Sequence, residues 1–410
     1  MIKKAISKVS VKEKEFSLNK FYEHTEFAVG TRVCKDGLDK GILTSDISLN
    51  TLSPNRIYFI NGTPYYHQDG AVYTIKNGLS EVVYTATADG TITLKGVNFK
   101  GEEGILIIEH GVKSSVLMSG TVKTVAVPDA EHYEVLGTQL FVGNKRELTF
   151  GECHDMSGFD KPIIMPRGAG EIRGLVSYGK KLLVFCQKAV YELTAFGTEM
   201  DYAIQKKTVI NLDVLSGSVK RLGENVAFIS EGKILCYNNG NITEITLAHS
   251  LLDFTVCGLA AGYNNLYILP VTVKGKSGYY MYAIDVVRKQ EYLEKVSSPC
   301  LADGGYLLVD GKMRVVSNGE GTGSLDCVWQ SKALDFGSSK KKNLSEISFK
   351  TDTPLKLTVS GRFGQKVFKV KKGHNLKKVN LTSDEFALSL EGEQIRIDEI
   401  NLKYRDMGGL

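Results

Sequence analysis

"GLVSYGKKLLVFCQKAVYELT", residues 174–194, decides the fold. Leu182, Leu183, Val184, Phe185 and Cys186 form a continuous apolar run. Gln187 and Lys188 break it, and Ala189, Val190 and Tyr191 resume it. A run of this length between turn residues reads as a buried strand, and the break as a hairpin turn. Taken alone the stretch is one hairpin. It does not stand alone.

The same phrase recurs along the chain. Its relatives are "NRIYFING" from Asn55, "GILIIEHG" from Gly104, "TQLFVGNK" from Thr138, "KKLLVFCQ" from Lys180, "ENVAFISEG" from Glu224, "NNLYILPV" from Asn264 and "GGYLLVDG" from Gly304. From Thr138 onward the starts lie 42, 44, 40 and 40 residues apart, while the two earlier spacings are 49 and 34. A second strand follows most of them: "AVYTI" at 71–75, "AVYEL" at 189–193, "ITEIT" at 242–246, "YYMYAI" at 279–284 and "MRVVS" at 313–317. A period near 40–45 residues is that of a four-stranded propeller blade. One blade cannot bury both of its faces, so neighbours must stack around an axis. The expectation is an all-β chain, a β-propeller of six or seven blades with a C-terminal β-sandwich. A pair of β-sandwiches is the alternative that could imitate the spacing. Helical periodicity is confined to "ITLAHSLLDF", 245–254, about two turns at most.

Near Cys327–Trp329 apolar runs give way to strict alternation. "LKLTV" places Leu355, Leu357 and Val359 on one face, and "ALSL" (387–390) alternates in the same way. In "IRIDEINLKY" the phase of Ile395 and Ile397 is opposite to that of Ile400, Leu402 and Tyr404, which predicts a bulge at Asp398–Glu399. The domains expected are an N-terminal arm with a leading strand over 1–50, a propeller over 51–326 and a sandwich over 327–410.

The chain has 410 residues, too many for one ordinary core unless that core is a repeat. Forty-two glycines against eight prolines call for many tight turns and few rigid linkers. The seven cysteines have no CxxC spacing, and Cys186 and Cys236 sit inside apolar runs. They read as free buried thiols of a chain that folds in a reducing compartment. "MIKKAISKVSVKEKEF" has no apolar core like that of a secretory leader, and no stretch approaches the ~20 apolar residues of a membrane span.

Signatures of chemistry are sparse. The seven histidines form no HxH or HExxH pair. In "GECHD" (151–155) Cys153, His154 and Asp155 are consecutive, and consecutive strand residues point to opposite faces, so a turn is expected there, not a metal site or a nucleophile. "SNGEGTGSLD" (317–326) lacks the Lys-Ser/Thr and helix of a phosphate-binding loop and reads as a connection. "KDGLDKG" (35–41) has too few acids for a calcium loop and also reads as a turn. No catalytic, metal-binding or cofactor-binding residue is assigned, and no enzyme activity, cofactor or small-molecule substrate is expected. The repeated Asp-box loops of sialidases and exposed tryptophans of lectin propellers are missing; the one tryptophan is Trp329.

Charge is uneven. The net charge is +5, yet residues 338–378 hold twelve Lys/Arg against Glu346 and Asp352. That gives +10 in the segment and leaves −5 for the rest. Lys340, Lys341, Lys342, Arg362, Lys366, Lys369, Lys371 and Lys372 are the candidate interface residues. Either they contact nucleic acid or an acidic protein surface, or they coat strands that must not pair with other chains. Few aromatics interleave them beyond Phe363 and Phe368, which ranks a protein interface above DNA.

The run "GEIRGLVSYGKKLLVFCQKAVYELTAFGTEMDYAIQKKTVINLDVLSGSVKRLGENVAFISEGKILCYNNG" resembles the propeller core of the packaged-DNA stabilisation, or tail hub (nozzle), proteins of short-tailed bacteriophages. The likeness is a Gly-Leu start, a strand, and a strand pair carrying an acid, here Glu192 after Tyr191. A buried segment around Val209–Ser216 and the strand at Asn225–Ser230 follow. The final "IRIDEINLKYR" is similar to the close of such proteins. The likeness is specific over 170–240 and extends in layout over 50–410. It implies a non-enzymatic virion protein of the tail, assembled in the host cytoplasm. It also implies a homo-oligomeric ring, commonly a hexamer, below the portal and adaptor, which extends the DNA channel and holds packaged double-stranded DNA without sequence specificity. A receptor- or glycan-binding propeller of a tail tip or baseplate is the competing function, and a propeller hydrolase would need carboxylates converging on the axis.

Overall fold

The computed structural model describes residues 13–41, 44–48, 51–88, 90–196, 201–209, 213–245, 254–316 and 327–407. Among them the chain is nearly all β. Only the four-residue helix Phe21–His24 and the 3-10 turn Arg167–Ala169 interrupt antiparallel sheets. No helix among the described residues is long and apolar enough to cross a membrane.

Seven sheets follow one another along the chain, over 56–85, 92–125, 132–164, 172–209, 220–244, 254–296 and 301–316. Each is an antiparallel meander whose strands pair in chain order, a short fifth strand in the sixth sheet apart. In the first sheet the turns are Asn61-Gly62, Asp69-Gly70 and Asn77-Gly78, all with positive φ at both residues. Such pairs match the twist of the flanking strands and set two-residue hairpins.

Packing between the sheets closes on itself. Every neighbouring pair encloses a separate apolar cluster. Phe99 and Val116 of the second sheet, for example, meet Tyr133 and Leu140 of the third, and Phe185 of the fourth meets Phe228 of the fifth. The series ends with Leu308 and Met313 of the seventh sheet packed on Ile57 and Tyr66 of the first. The innermost strands also meet there: the Phe59 N–H donates to Asp303 Oδ2 at 2.9 Å. Gly304, with φ +53°, lies so close that a Cβ on it would sit 2.2 Å from the Phe59 ring. Each buried Leu, Ile or Phe contributes about 1.5–3 kcal/mol, so the seven clusters hold the ring without any single dominant core.

This arrangement explains the repeat. The second strands of the seven sheets begin at Thr63, Glu102, Gln139, Lys181, Asn225, Leu266 and Tyr306, 37 to 44 residues apart. Six of the recurrent phrases lie on these strands, which are buried on both faces; "NRIYFING" instead lies on a first strand, Arg56–Ile60. That offset produced the irregular spacing of 49. "ITEIT" falls on a fourth strand, Asn241–Glu244, not on the strand after the apolar run. The opening phrase spans parts of three strands, Ile172–Tyr178, Lys181–Cys186 and Ala189–Phe196, so it is two hairpins and not one.

The N-terminal segment, expected as an arm and leading strand, supplies strands to four sheets. Thr31–Cys34 and Gly37–Lys40 extend the sixth sheet beyond Gln290–Val296, and Thr44–Asp46 is the outer strand of the seventh. Lys14–Leu18 and Thr25–Val29 join the C-terminal strands in two further sheets. The four-stranded one runs in the order Lys14–Leu18, Ile400–Asp406, Lys342–Thr351, Gly373–Ser383. The five-stranded one runs Thr25–Val29, Cys327–Ser331, Phe386–Gly392, Leu355–Gly361, Gly364–Val370. Leu344, Ile347 and Leu402 of the former and Trp329, Leu357 and Leu390 of the latter form one core between them. Trp329 is fully buried, and its Nε1 donates to Thr25 Oγ1 at 2.9 Å, which ties the two ends of the chain together.

The predicted bulge at Asp398–Glu399 is instead a boundary. Ile397 bridges to Leu38 of the sixth sheet, and the strand Ile400–Asp406 begins after it. Two segments with different pairing partners turn their apolar residues into the same core, and the break between them creates the change of phase. The candidate helix over 245–254 lies mostly outside the described residues, but Phe254 begins a strand. The glycine-rich stretch 317–326 lies wholly outside them. Residues 35–41 form the hairpin between Thr31–Cys34 and Gly37–Lys40.

Candidate functional site

The basic segment folds into the terminal sheets. Gly364–Val370 and Gly373–Ser383 each stand at the end of their sheet's strand order, and they lie beside each other. Lys377 crosses between them and donates to the Lys369 carbonyl at 3.0 Å. Alternation follows from pairing: Lys356 opposes Lys369 on the outer face of the five-stranded sheet, while Leu357 opposes Phe368 on the core face. Lysine along two unpaired edges is a recognised way to discourage further strand addition.

The eight candidate residues do not form one patch. The end of the terminal sheets bearing Val29, Cys327 and Ile395 abuts the seven-sheet body: Gly30 N–H donates to Leu293 O at 2.7 Å and Thr31 Oγ1 to Ile395 O at 3.2 Å. Lys371 and Lys372 lie toward this end, just past Val370, which opposes Leu355. Arg362 lies at the far end, in the turn closed by Gly361 and Gly364. Lys340 and Lys341 lie there too, leading into the strand whose Lys342 opposes Ser383. A seven-residue strand separates the groups, about 20 Å at the rise of a β-strand. Lys366 and Lys369 lie between them. Lys366 opposes Val359 and is half-buried, whereas Lys340, Lys341, Lys369, Lys371 and Lys372 are exposed.

Lys342 departs from the expectation. It is fully buried, and its ammonium donates to the carbonyls of Ser338, of Lys340 at 2.6 Å and of Asp384 at 3.1 Å. It presents no charge to a partner and instead fastens the 338–342 segment to the 384 turn. The alternation "KKKN" hid this, because the third lysine is the one that begins the strand. At the far tip, Arg362 pairs with Asp384 at 3.4 Å and its guanidinium lies over an aromatic face, 5.4 Å from the centroid of Phe363. Phe363 is 79% exposed, more than any other large hydrophobic residue described.

A second feature escaped the sequence: a cavity of about 480 Å³ on the ring axis, walled by the innermost strands. Residues such as Arg56, Lys95, Glu134, Arg173 and Lys220 lie in short strands with no shared motif. Only the ring brings them together. Three carboxylates, Glu131, Glu134 and Asp303, line the cavity. Glu134 is paired with Lys95 at 2.8 Å, and Asp303 accepts the Phe59 N–H. His132 lies in the same wall, its pKa lowered by burial, with its Nε2 3.1 Å from Ile172 O.

Other singled-out groups serve the fold. Glu192 is buried, accepts Lys181 Nζ at 2.7 Å and accepts the Tyr237 hydroxyl of the next sheet at 2.6 Å. Cys153 is buried and its thiol is pushed up to about 11, while His154 beside it is exposed. Burial raises Cys186 to about 12, which makes it a core residue and a poor nucleophile.

No family model matches the chain, and no curated protein matches it. Among solved structures it is similar to the extracellular domain of a hybrid two-component system of B. thetaiotaomicron, with 10% identity and a TM-score of 0.48, over 82% of this chain and 47% of that one. It is also similar to PorZ, a surface component of the type-IX secretion system of Porphyromonas gingivalis, with 9% identity and a TM-score of 0.44, over 80% and 46%. A third is the Neurospora crassa Pan2 WD40 domain, with 10% identity and a TM-score of 0.45, over 69% and 98%. The chain spans about half the length of the first two. Likeness at this level carries no functional argument.

Proposed function

We propose that the chain is a structural subunit of a larger assembly, and specifically a ring-forming tail hub, or nozzle, protein of a short-tailed bacteriophage. In this reading the seven sheets are the blades of a seven-bladed β-propeller and the two terminal sheets are a β-sandwich. The propeller is a rigid block and the sandwich is its connector. The protein is not an enzyme, takes no small-molecule substrate, and joins copies of itself, the portal-adaptor and other tail proteins around packaged DNA in the virion.

The observation that carries this reading is the tip of the terminal sheets. It projects from the end opposite the body and combines an exposed Phe363, Arg362 against it, and Lys340 and Lys341 nearby. An aromatic and an arginine on a firm turn, rimmed by charge, suit the centre of a protein contact better than a sequence-reading surface. The resemblance over 170–240 supplies the more specific assignment, and Glu192, which it includes, has a defined task in joining two neighbouring sheets.

The test is the mass of the native particle by light scattering. Wild-type protein is expected to form oligomers of one size, and the pair Arg362→Glu and Phe363→Ser to reduce them to folded monomers. Wild-type protein that is monomeric at every concentration, alone and with the products of neighbouring genes, would overturn the reading.

A further inference from the structure

The cavity on the ring axis carries more positive charge than its own carboxylates neutralise. Arg56, Lys95, Arg173, Lys220 and Arg221 line it against Glu131, Glu134 and Asp303, an excess of two positive charges. Several of these groups are already engaged. Lys95 pairs with Glu134 at 2.8 Å, and Arg173 with Glu171 at 3.5 Å. Arg221 donates to the carbonyls of Ser177 and Gly223 at 3.0 and 3.1 Å. Arg56 lies 5.0 Å from the centroid of the Tyr58 ring and has no carboxylate partner among the described residues.

The Lys220 side chain has neither a hydrogen bond nor an ion pair among the described residues. It belongs to the fifth sheet, and the cavity it lines also holds Asp303, Arg56, Lys95 and Glu134, from the seventh, first, second and third. Lys220 therefore shares the cavity wall with charged residues from four other sheets. Burial lowers its pKa; repulsion from Arg56 and Lys95 adds to this, and Asp303 and Glu134 oppose it. With Lys95 and Glu134 paired to each other, Lys220 is left as a cation without a counter-ion among the described residues.

We propose that the axial cavity binds a small dianion, a phosphate monoester or a dicarboxylate on a polar body, with Lys220 and Arg56 holding the anionic group. The volume of about 480 Å³ falls in the range of small-molecule sites. Concave walls with an excess of one sign of charge concentrate ligands of the other. Glu131 and Ser177 supply acceptors and a hydroxyl for the polar body. The inference goes beyond the assembly reading and does not rest on it.

Calorimetric titration of the full chain tests it, with inorganic phosphate, glucose 6-phosphate, citrate and glucose as probes. At least one of the three anions is expected to bind saturably and glucose is not. Losing one charge-assisted hydrogen bond should weaken that anion about ten- to a hundredfold in Lys220→Met. A wild-type measurement guards against a variant that does not fold. Pyridoxal 5′-phosphate condenses with a free lysine amine, losing water, and borohydride hydride fixes the imine as a secondary amine. Peptide mapping should find Lys220 modified before exposed Lys340, with protection by the anion and none by glucose. Saturable binding by none of the anions, an unchanged affinity in a folded Lys220→Met, or labelling of Lys220 that the anions do not suppress would overturn the proposal.

Discussion

Charge reversal at three adjacent lysines should give opposite outcomes. Lys340 and Lys341 are exposed, so Lys340→Glu or Lys341→Glu should change stability by no more than about 0.5 kcal/mol. Lys342 is buried, and its ammonium is held by the carbonyls of Ser338, Lys340 and Asp384. A single hydrogen bond to a charged group is worth about 1.5–3 kcal/mol, but bonds to one ammonium are not additive. The Ser338 and Lys340 carbonyls also lie beside exposed chain and regain water. Lys342→Met should therefore cost about 2–3 kcal/mol, and Lys342→Glu, which places a carboxylate among carbonyl oxygens, about 4 kcal/mol or more. In urea, with a slope of about 1–3 kcal/mol per molar, Lys342→Met shifts the midpoint of the terminal-sheet transition by about 1–3 M. A Lys342→Glu protein that unfolds with the wild-type midpoint, or a Lys341→Glu protein that falls as far, would refute the reasoning.

Three further outcomes follow from particular contacts. Ring closure between Gly304 and Phe59 predicts that Gly304→Ala costs about 1–3 kcal/mol by overpacking, with added backbone strain, while alanine at exposed Gly62, which has nothing within 4 Å, costs less; thermal melts compare them. Glu109 is buried, which alone would raise its pKa, but hydrogen bonds from Tyr84 and the Thr87 N–H, with Lys113 nearby, hold it below the ordinary value. Its stabilisation is thus present above the unfolded value of about 4.3 and is lost as pH falls through the folded value. Melts from pH 7 to 3 should show a shallower loss in Glu109→Gln than in wild type. Alkylation in native buffer should modify exposed Cys257 first, while Cys186 and Cys300, each raised to about 12 by burial, react only on unfolding; mass spectrometry gives the order.

The repeat was legible because second strands are buried on both faces. "KLLVFC" and "NVAFIS" can be apolar throughout only between two neighbours, and that requirement returns in every sheet. First strands were harder to see. They face the axis on one side and mix charge with apolar residues, as Arg56–Ile60 does, so no periodic signal marks them. The axial cavity was invisible for the same reason: its residues come from distant turns of the chain and converge only when the ring closes. One leading strand was expected over 1–50, and the others were missed because they are short and several find partners hundreds of residues away, Thr44–Asp46 against Lys312–Val316 and Lys14–Leu18 against Ile400–Asp406. The basic segment stands out in composition, but composition does not show its geometry. Pairing register separates Arg362 from Lys371 and turns Lys342 inward.

Electron microscopy of the purified full-length chain, at concentrations where light scattering finds its largest particle, addresses the assembly reading most directly. Closed rings of one symmetry are predicted, with the Phe363 tip in the contact between a subunit and its neighbour. Discrete single subunits at every concentration, or rings in which that tip points free into solvent, would contradict it.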